Sequence, residues 1–239
     1  MADAEKNMLP VAEVFESIQG EGFWTGQPMR FVRLAGCPVG RKASQDWGKE
    51  QTPQALEGHP ILSNGTDGSM CRTWDGRYFC CDTDFSVHTY AGVDELLNTH
   101  LQHICLTGGE PLIHQQRLIE LGFFRDAFAA DKMVHIETSG TVQLLPCFID
   151  DKRVWITVAP KHGYLDKMIF RANEVKLLVD ENFTKCIIPT EIMRHQQVYL
   201  CPINEETEVN QHNAKLAVEL AMKFNWKVSC QWHKMLGLR

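Results

Sequence analysis

A chain of 239 residues with 44% apolar content is long enough for one large core or two small ones. Its net charge of −6 argues against nucleic acid as a partner, which calls for a basic patch, yet leaves room for a small anionic substrate held by one or two local cations. The polar start Met1-Ala2-Asp3-Ala4-Glu5-Lys6-Asn7, the lack of an apolar run long enough to span a bilayer, and nine cysteines without a secretory signal point to a cytoplasmic protein with reduced thiols and no membrane partner.

Along the chain, β-rich apolar runs alternate with helical periodicity. Residues 11–18 and 29–35 read as strands, 93–102 as a helix and 103–107 as a strand. Residues 115–130 read as one helix, with Leu118, Leu121 and Phe128 on a stripe that only Arg125 breaks. Segments 133–138, 154–158, 174–179 and 197–202 read as short strands. Residues 208–224 form a helix with Val209, Leu216, Leu220 and Phe224 on one face, and 227–231 a last strand. This alternation implies a parallel sheet with right-handed crossovers. The stretch 38–70 is the exception: polar, rich in Gly, Ser, Pro, Asn and Asp, and without periodicity. A full eight-unit barrel takes about 250 residues, so too little chain remains once 38–70 is set aside. The expected fold class is therefore α/β, a partial, open (β/α) barrel in one domain, 1–239. Residues 38–70 are a loop insertion within it, read as a surface excursion with ordered ends, with a lid over the site beside it as the alternative.

Three groups of residues carry chemistry. Gly36-Cys37 follows an apolar strand, Phe79-Cys80-Cys81-Asp82-Thr83-Asp84-Phe85 ends a second cysteine group, and Thr107-Gly108-Gly109-Glu110-Pro111 follows the next long strand. Three thiolates can hold three irons of a [4Fe-4S] cluster and leave the fourth open to an external ligand. The Gly-Gly-Glu turn offers that ligand bare backbone and a carboxylate for an ammonium group. This combination resembles the radical S-adenosyl-L-methionine (SAM) enzymes. Common members of that superfamily space their ligands Cys-x3-Cys-x2-Cys, but Arg41 and Ser44 stand where two of those cysteines would fall. Either the cluster is absent, or its loop carries an insertion that gives Cys37-x33-Cys71-x9-Cys81. Closing the longer loop costs only about 2 kcal/mol more. A structural metal returns about 10–16 kcal/mol to folding. Cys80 competes with Cys81 as the third ligand, while Cys105, Cys147, Cys186 and Cys230 read as ordinary buried thiols.

Further motifs narrow the resemblance. Glu16-Ser17-Ile18-Gln19-Gly20-Glu21-Gly22, Phe31-Val32-Arg33-Leu34-Ala35-Gly36-Cys37-Pro38-Val39-Gly40, Cys81-Asp82-Thr83, Thr107-Gly108-Gly109-Glu110-Pro111, Ile136-Glu137-Thr138-Ser139-Gly140-Thr141, Ala159-Pro160-Lys161 and Gln231-Trp232-His233-Lys234-Met235-Leu236-Gly237 occur in this order. Together they resemble the 7-carboxy-7-deazaguanine synthase family, from about residue 11 to the C-terminus. The resemblance implies ring contraction of 6-carboxy-5,6,7,8-tetrahydropterin to 7-carboxy-7-deazaguanine with loss of ammonia, in 7-deazapurine (queuosine-type) biosynthesis. It also implies SAM, a [4Fe-4S] cluster and Mg²⁺ as cofactors, an electron donor such as flavodoxin or ferredoxin, and a homodimer.

Carried onto this sequence, the resemblance makes Cys37, Cys71 and Cys81 the cluster ligands. The family's aromatic residue before the last ligand fits Phe79-Cys80, but the Asp-Thr step after it fits Cys81, which is preferred. Thr83 would offer its hydroxyl to Mg²⁺, a hard ion that takes oxygen ligands. Gly108, Gly109 and Glu110 would meet SAM, with Ser139, Ala159, Pro160 and Lys161 lining it. Ala159 stands where the family usually has serine, so one hydroxyl contact is missing. Cys201-Pro202-Ile203-Asn204 falls where Gln-Pro is usual, which keeps backbone contacts and loses a side-chain one. Ile18, Gln19, Gly20 and Glu21 would read the pterin edge, and Arg33 would pair with the substrate carboxylate. Thr107 would add a hydroxyl, and His233 and the terminal carboxylate of Arg239 would close the pocket.

Two other classes stand beside this one. A different radical SAM enzyme, such as a glycyl-radical activase, is disfavoured by Gln19-Gly20-Glu21-Gly22 and the His233-Lys234 end. A cluster-less regulatory or binding relative is suggested by Arg41 and Ser44. Iron and sulfide content separates the last from the rest.

Overall fold

Apolar and β-branched runs extend, and their two-residue period sends alternate side chains to opposite faces. The computed structural model of the chain describes residues 5–42, 69–81, 83–146, 151–183, 187–204 and 209–238. Strands β1 (Leu9–Ile18) and β2 (Pro28–Leu34) form an antiparallel pair, with Val14 opposite Val32 and Ile18 opposite Pro28. A separate antiparallel ribbon follows, made of β3 (Arg41–Lys42), β4 (Ser69–Arg72) and β5 (Tyr78–Cys81). β6 (Thr89–Ala91) then returns to pair antiparallel with β1. From there β7 (His103–Gly108), β8 (Met133–Thr138), β9 (Val154–Val158), β10 (Glu174–Val179), β11 (Val198–Pro202) and β12 (Lys227–Val228) run parallel to their neighbours, with β7 parallel to β2. The sheet order is β12-β11-β10-β9-β8-β7-β2-β1-β6. Its end strands do not pair with each other among the described residues. The sheet is therefore mostly parallel and open, a partial barrel.

One face of each central strand carries the core. Val32 and Leu34, Ile104 and Leu106, Val134 and Ile136, Ile156 and Val158, Val175 and Leu177, and Val198 and Leu200 join one apolar cluster with the helices. The helices contribute Leu96 from α1 (Val93–Leu97), Leu118 from α2 (Gln115–Glu120) and Phe123 and Ala127 from α3 (Phe123–Ala129). Met168 and Ile169 come from α4 (Asp166–Arg171), Ile192 from α5 (Thr190–Met193), and Ala217 and Leu220 from α6 (Gln211–Phe224). Each large side chain buried there contributes about 1.5–3 kcal/mol. The alternate positions, Arg33, Thr107, Glu137, Thr157, Lys176 and Cys201, face the barrel interior and line its cavity. No helix among the described residues is long and apolar enough to cross a membrane.

Several elements differ from the expectation. The helix expected over 93–102 stops at Leu97, where Thr99 turns its hydroxyl to the Leu101 N–H at 3.1 Å and offers the backbone an alternative to the helix. The helix expected over 115–130 is two, because Gly122 adopts the left-handed φ of 79° between α2 and α3. α6 begins at Gln211 rather than 208, since the Asn210 side chain accepts from Asn213 N at 3.0 Å as an N-cap. The last strand ends at Val228, and α7 (Trp232–Met235) follows. The excursion 38–70 contributes β3 and the start of β4, so both of its ends are ordered; residues 43–68 lie outside the described residues.

Candidate functional site

Parallel strands bring their carboxyl ends to one edge of the sheet, and ligands of α/β folds gather there. Here those ends, the β1–β2 arm and the ribbon enclose a cavity of about 270 Å³. One wall carries thiols. Cys37 follows β2, Cys71 lies in β4 and Cys81 ends β5, and all three line the cavity. In the β4–β5 register Cys71 stands opposite Phe79 and Ser69 opposite Cys81, so the two-residue period puts Cys71 and Cys81 on one face. Cys80 stands opposite Met70, one residue out of phase, and its side chain lies outside the described residues.

Burial pushes the Cys37 thiol up, more than the N–H groups of Gly40 (3.2 Å from Sγ) and Val39 pull it down. Burial likewise raises Cys71, the Lys161 ammonium opposing and Cys37 adding to the rise. Among the described residues no three His, Cys, Asp or Glu side chains converge as a site for a single metal ion. The donor set is three cysteine sulfurs that line one cavity, with a backbone N–H donating to one of them. It fits a multi-iron cluster, which takes thiolate ligands and hydrogen bonds to sulfur.

The ribbon is fastened to the sheet by its turn. Trp74 N donates to Pro160 O at 3.2 Å, His162 N to Arg72 O at 3.0 Å, and Thr73 bridges Lys161. Arg77 lies against Asp75 (2.7 Å) and Asp180 (2.6 Å), donates to Leu178 O at 2.9 Å and covers the Phe183 ring.

Beside Cys37 lies the turn after β7. A Cβ on Gly109 would stand 2.0 Å from Gly36 O, and one on Gly108 2.4 Å from Leu34 O, so only glycine lets these two strand ends touch. Glu110 is fully buried behind this turn. Its carboxylate accepts from Thr138 Oγ1 and Ser139 N, both at 2.8 Å, from the Ser139 hydroxyl and from Leu112 N at 3.1 Å. Gly108, Gly109, Ser139, Ala159, Lys161 and Cys201 line the cavity; Glu110, Pro160, Pro202, Ile203 and Asn204 do not. Asn204 instead donates to Gln231 Oε1 at 3.1 Å and accepts from Asn210 N at 3.0 Å, and Ile203 O accepts from Asn213 Nδ2 at 2.7 Å. They join β11 to α6 and the C-terminal segment. Cys201 is buried and its thiol pushed up by that burial.

The remaining wall is polar. Ile18, Gln19, Gly20, Glu21, Arg33, Thr83, Thr107 and His233 all line it. Arg33 donates to Thr83 Oγ1 at 3.1 Å, pairs with Glu13 at 3.4 Å and covers the Phe15 ring. His233 packs over Gly20 so closely that a Cβ there would stand 2.0 Å from Nδ1. Three further residues belong to this wall without having been expected: Glu137, Lys176 and Gln231. Lys176 lies 2.7 Å from Glu21 and 3.1 Å from Glu137, and Gln231 donates to Glu21 at 2.8 Å. Burial works against the charge on Glu21, but Lys176 and the hydrogen bonds from Lys176 and Gln231 outweigh it and hold the carboxyl down to about 2. The sequence signal for Lys176 is its alternation with Glu174 within an apolar strand, which marks an inward polar face, whereas Glu137 and Gln231 stand inside two of the quoted motifs. Arg239 lies outside the described residues, as do Cys147 and Cys186; Cys105 is buried and Cys230 only half-buried.

No family model matches the chain. It is 30% identical over 246 residues to the 7-carboxy-7-deazaguanine synthase of Buchnera aphidicola subsp. Schizaphis graminum, covering 96% of this chain and 99% of that one. It is 28% identical to the synthase of Escherichia coli K12 (96% and 98% covered) and 28% identical to that of Aquifex aeolicus (97% and 95%). The crystal structure of QueE from Escherichia coli superposes with a TM-score of 0.57 at 26% identity, covering 94% of each chain. With such coverage from end to end, and with its motifs gathered around one cavity, the chain belongs to the 7-carboxy-7-deazaguanine synthase family of enzymes.

Proposed function

We propose that the protein converts 6-carboxy-5,6,7,8-tetrahydropterin to 7-carboxy-7-deazaguanine with loss of ammonia, by radical SAM chemistry serving 7-deazapurine biosynthesis. The observation that carries this reading is one cavity whose lining includes the thiols of Cys37, Cys71 and Cys81, the carboxylates of Glu21 and Glu137, and Arg33. Cys37, Cys71 and Cys81 would hold the [4Fe-4S] cluster, which when bound supplies the electron that cleaves SAM.

Gly108 and Gly109 bring bare backbone to the cavity, and with Ser139, Ala159, Lys161 and Cys201 they would line SAM. Glu110 would have to share its carboxylate between Ser139, Thr138 and an ammonium group. The guanidine-like edge of the pterin presents N–H donors, which suit Gln19, Glu21 and the nearby Glu137. Arg33 would take the substrate carboxylate with two parallel hydrogen bonds. Thr83, beside Arg33, would offer its oxygen to Mg²⁺, so the carboxylate would meet a guanidinium and a metal ion at one place. An electron donor such as flavodoxin or ferredoxin and a homodimer complete the reading.

The test is anaerobic turnover. Protein reconstituted with iron and sulfide, given SAM, a reductant, Mg²⁺ and the carboxylated tetrahydropterin, should release ammonia and 7-carboxy-7-deazaguanine without net consumption of SAM. Reconstituted protein that takes up iron but leaves the pterin unchanged would point to another radical SAM reaction. Protein that takes up no iron would point to a binding or regulatory relative.

A further inference from the structure

Lys176 is a buried ammonium among acids. It projects from β10 with 8% of its side chain exposed, and its Nζ lies 2.7 Å from Glu21 Oε2 and 3.1 Å from Glu137 Oε1. Each of those carboxylates has further donors. Gln231 Nε2 reaches Glu21 Oε1 at 2.8 Å; Gln19 Nε2 and Thr107 Oγ1 reach the two oxygens of Glu137 at 3.1 Å each. A third acid, Glu174, sits two residues before Lys176 and accepts from Phe23 N and Thr157 Oγ1 at 2.8 Å. Cys201 acts on the same ammonium from the neighbouring strand β11 and Cys105 from β7, three strands away, and His233 acts on Glu21 from the C-terminal segment. Arg33, on β2, acts on Cys105.

Two carboxylates sharing a largely buried site raise each other's affinity for a proton, and a cation between them offsets that rise. Burial alone would disfavour the charge on Lys176, but Glu137 and Glu21 raise its affinity for the proton well above the ordinary lysine value. Lys176 does not need to touch a ligand to matter, because it fixes what the two acids present to one.

We propose that Lys176 is a positioning and specificity-determining residue: it holds Glu21 and Glu137 together as a charged acceptor pair that selects rings with adjacent N–H donors, the 2-amino-4-oxo edge of a pterin, over 2,4-dioxo rings that offer a carbonyl oxygen there. The inference rests on the proposed pterin substrate. Without the ammonium, one of the two acids takes up a proton, becomes a donor and no longer matches the amino edge.

Lys176→Met tests this in two independent ways. In turnover, KM for the carboxylated tetrahydropterin should rise about 100-fold while kcat falls less than about tenfold. The KM defect should shrink as pH rises from 6 to 9, whereas the parent KM stays flat. In the protein without substrate, infrared spectra at neutral pH should gain a protonated-carboxyl band that is absent from the parent and from Glu137→Gln/Lys176→Met. Lys176→Arg keeps the charge and guards against a folding failure; it should keep a flat pH profile with KM within about tenfold of the parent. An unchanged KM and no carboxyl band in Lys176→Met, or a pH-dependent KM in Lys176→Arg, would overturn the proposal. A parent that does not turn over the pterin at all would overturn the substrate assignment instead, and the infrared band would still decide whether Lys176 sets the charge of the pair.

Discussion

Replacing Arg77 by alanine should loosen the ribbon that carries Cys71 and Cys81. The Arg77 side chain is 11% exposed, and its guanidinium meets Asp75 (4% exposed) at 2.7 Å and Asp180 (20% exposed) at 2.6 Å. It also supplies the donor for Leu178 O and covers Phe183. Burial opposes its charge, yet the two aspartates raise its proton affinity above the ordinary arginine value. Breaking a buried pair by removing one partner costs about 3–5 kcal/mol. Asp180 is partly solvated and Asp75 keeps the Thr73 hydroxyl, so about 2–4 kcal/mol is the better figure here. The loss falls on a small antiparallel ribbon, not on the nine-stranded sheet, and should appear as local opening. Amide exchange across 69–81 should accelerate about 30- to 1000-fold, while the exchange of β7 to β10 stays as in the parent. Iron retained after reconstitution should fall with it. Parental protection of 69–81 together with full iron loading would refute the idea that this turn fastens the ribbon.

Gly109→Ala would place a Cβ 2.0 Å from Gly36 O and should cost about 2–4 kcal/mol, from overpacking plus loss of the 2.9 Å bond from Glu110 N to Gly36 O; a urea midpoint equal to the parent's would contradict this. Arg33→Ala should weaken productive binding of the carboxylated pterin by about 2–4 kcal/mol with SAM binding unchanged, and Arg33→Lys should also be impaired because it loses the fork, both read as KM against a SAM-binding control. His135 is buried and sits 2.8 Å from His103; burial and that neighbour hold its pKa down to about 3 from the ordinary 6.5. Its folded-state affinity for the proton is therefore below the unfolded one, so its contribution to stability is complete above pH 6.5 and is lost as pH falls toward 3. Urea unfolding at pH 6.5 and pH 5 should differ by about 2 kcal/mol from this residue, and His135→Gln should remove that difference.

How much was legible from residues alone follows their environment. Strands β8, β9 and β10 were found to within a residue because each is a short apolar run bounded by turn formers. The inward face was half visible: Glu174 and Lys176 alternate in β10, but a single lysine in a strand has no partner that periodicity can name. Lys176 meets Glu21 and Glu137 only once the loop after β1, β8 and β10 come together around one interior. The helix over 115–130 ran through Gly122 because a helical stripe continues on both sides, and only its left-handed φ reveals the break. The ribbon was missed because Tyr78–Cys81 is four residues long and its partner Ser69–Arg72 follows a polar stretch. Cys71 was legible only through the spacing of an inserted loop, whereas the cross-strand register shows why it shares a face with Cys81 and not with Cys80.

The cysteine series in the reconstituted enzyme tests the central claim most directly. Cys37→Ala, Cys71→Ala, Cys80→Ala and Cys81→Ala would be compared for iron content, reductive SAM cleavage and conversion of the carboxylated tetrahydropterin. The expected result is loss of all three in the Cys37, Cys71 and Cys81 variants, with the Cys80 variant close to the parent. Full cleavage by Cys71→Ala, or loss in Cys80→Ala with retention in Cys81→Ala, would contradict the assignment of the cluster to the cavity face of the ribbon.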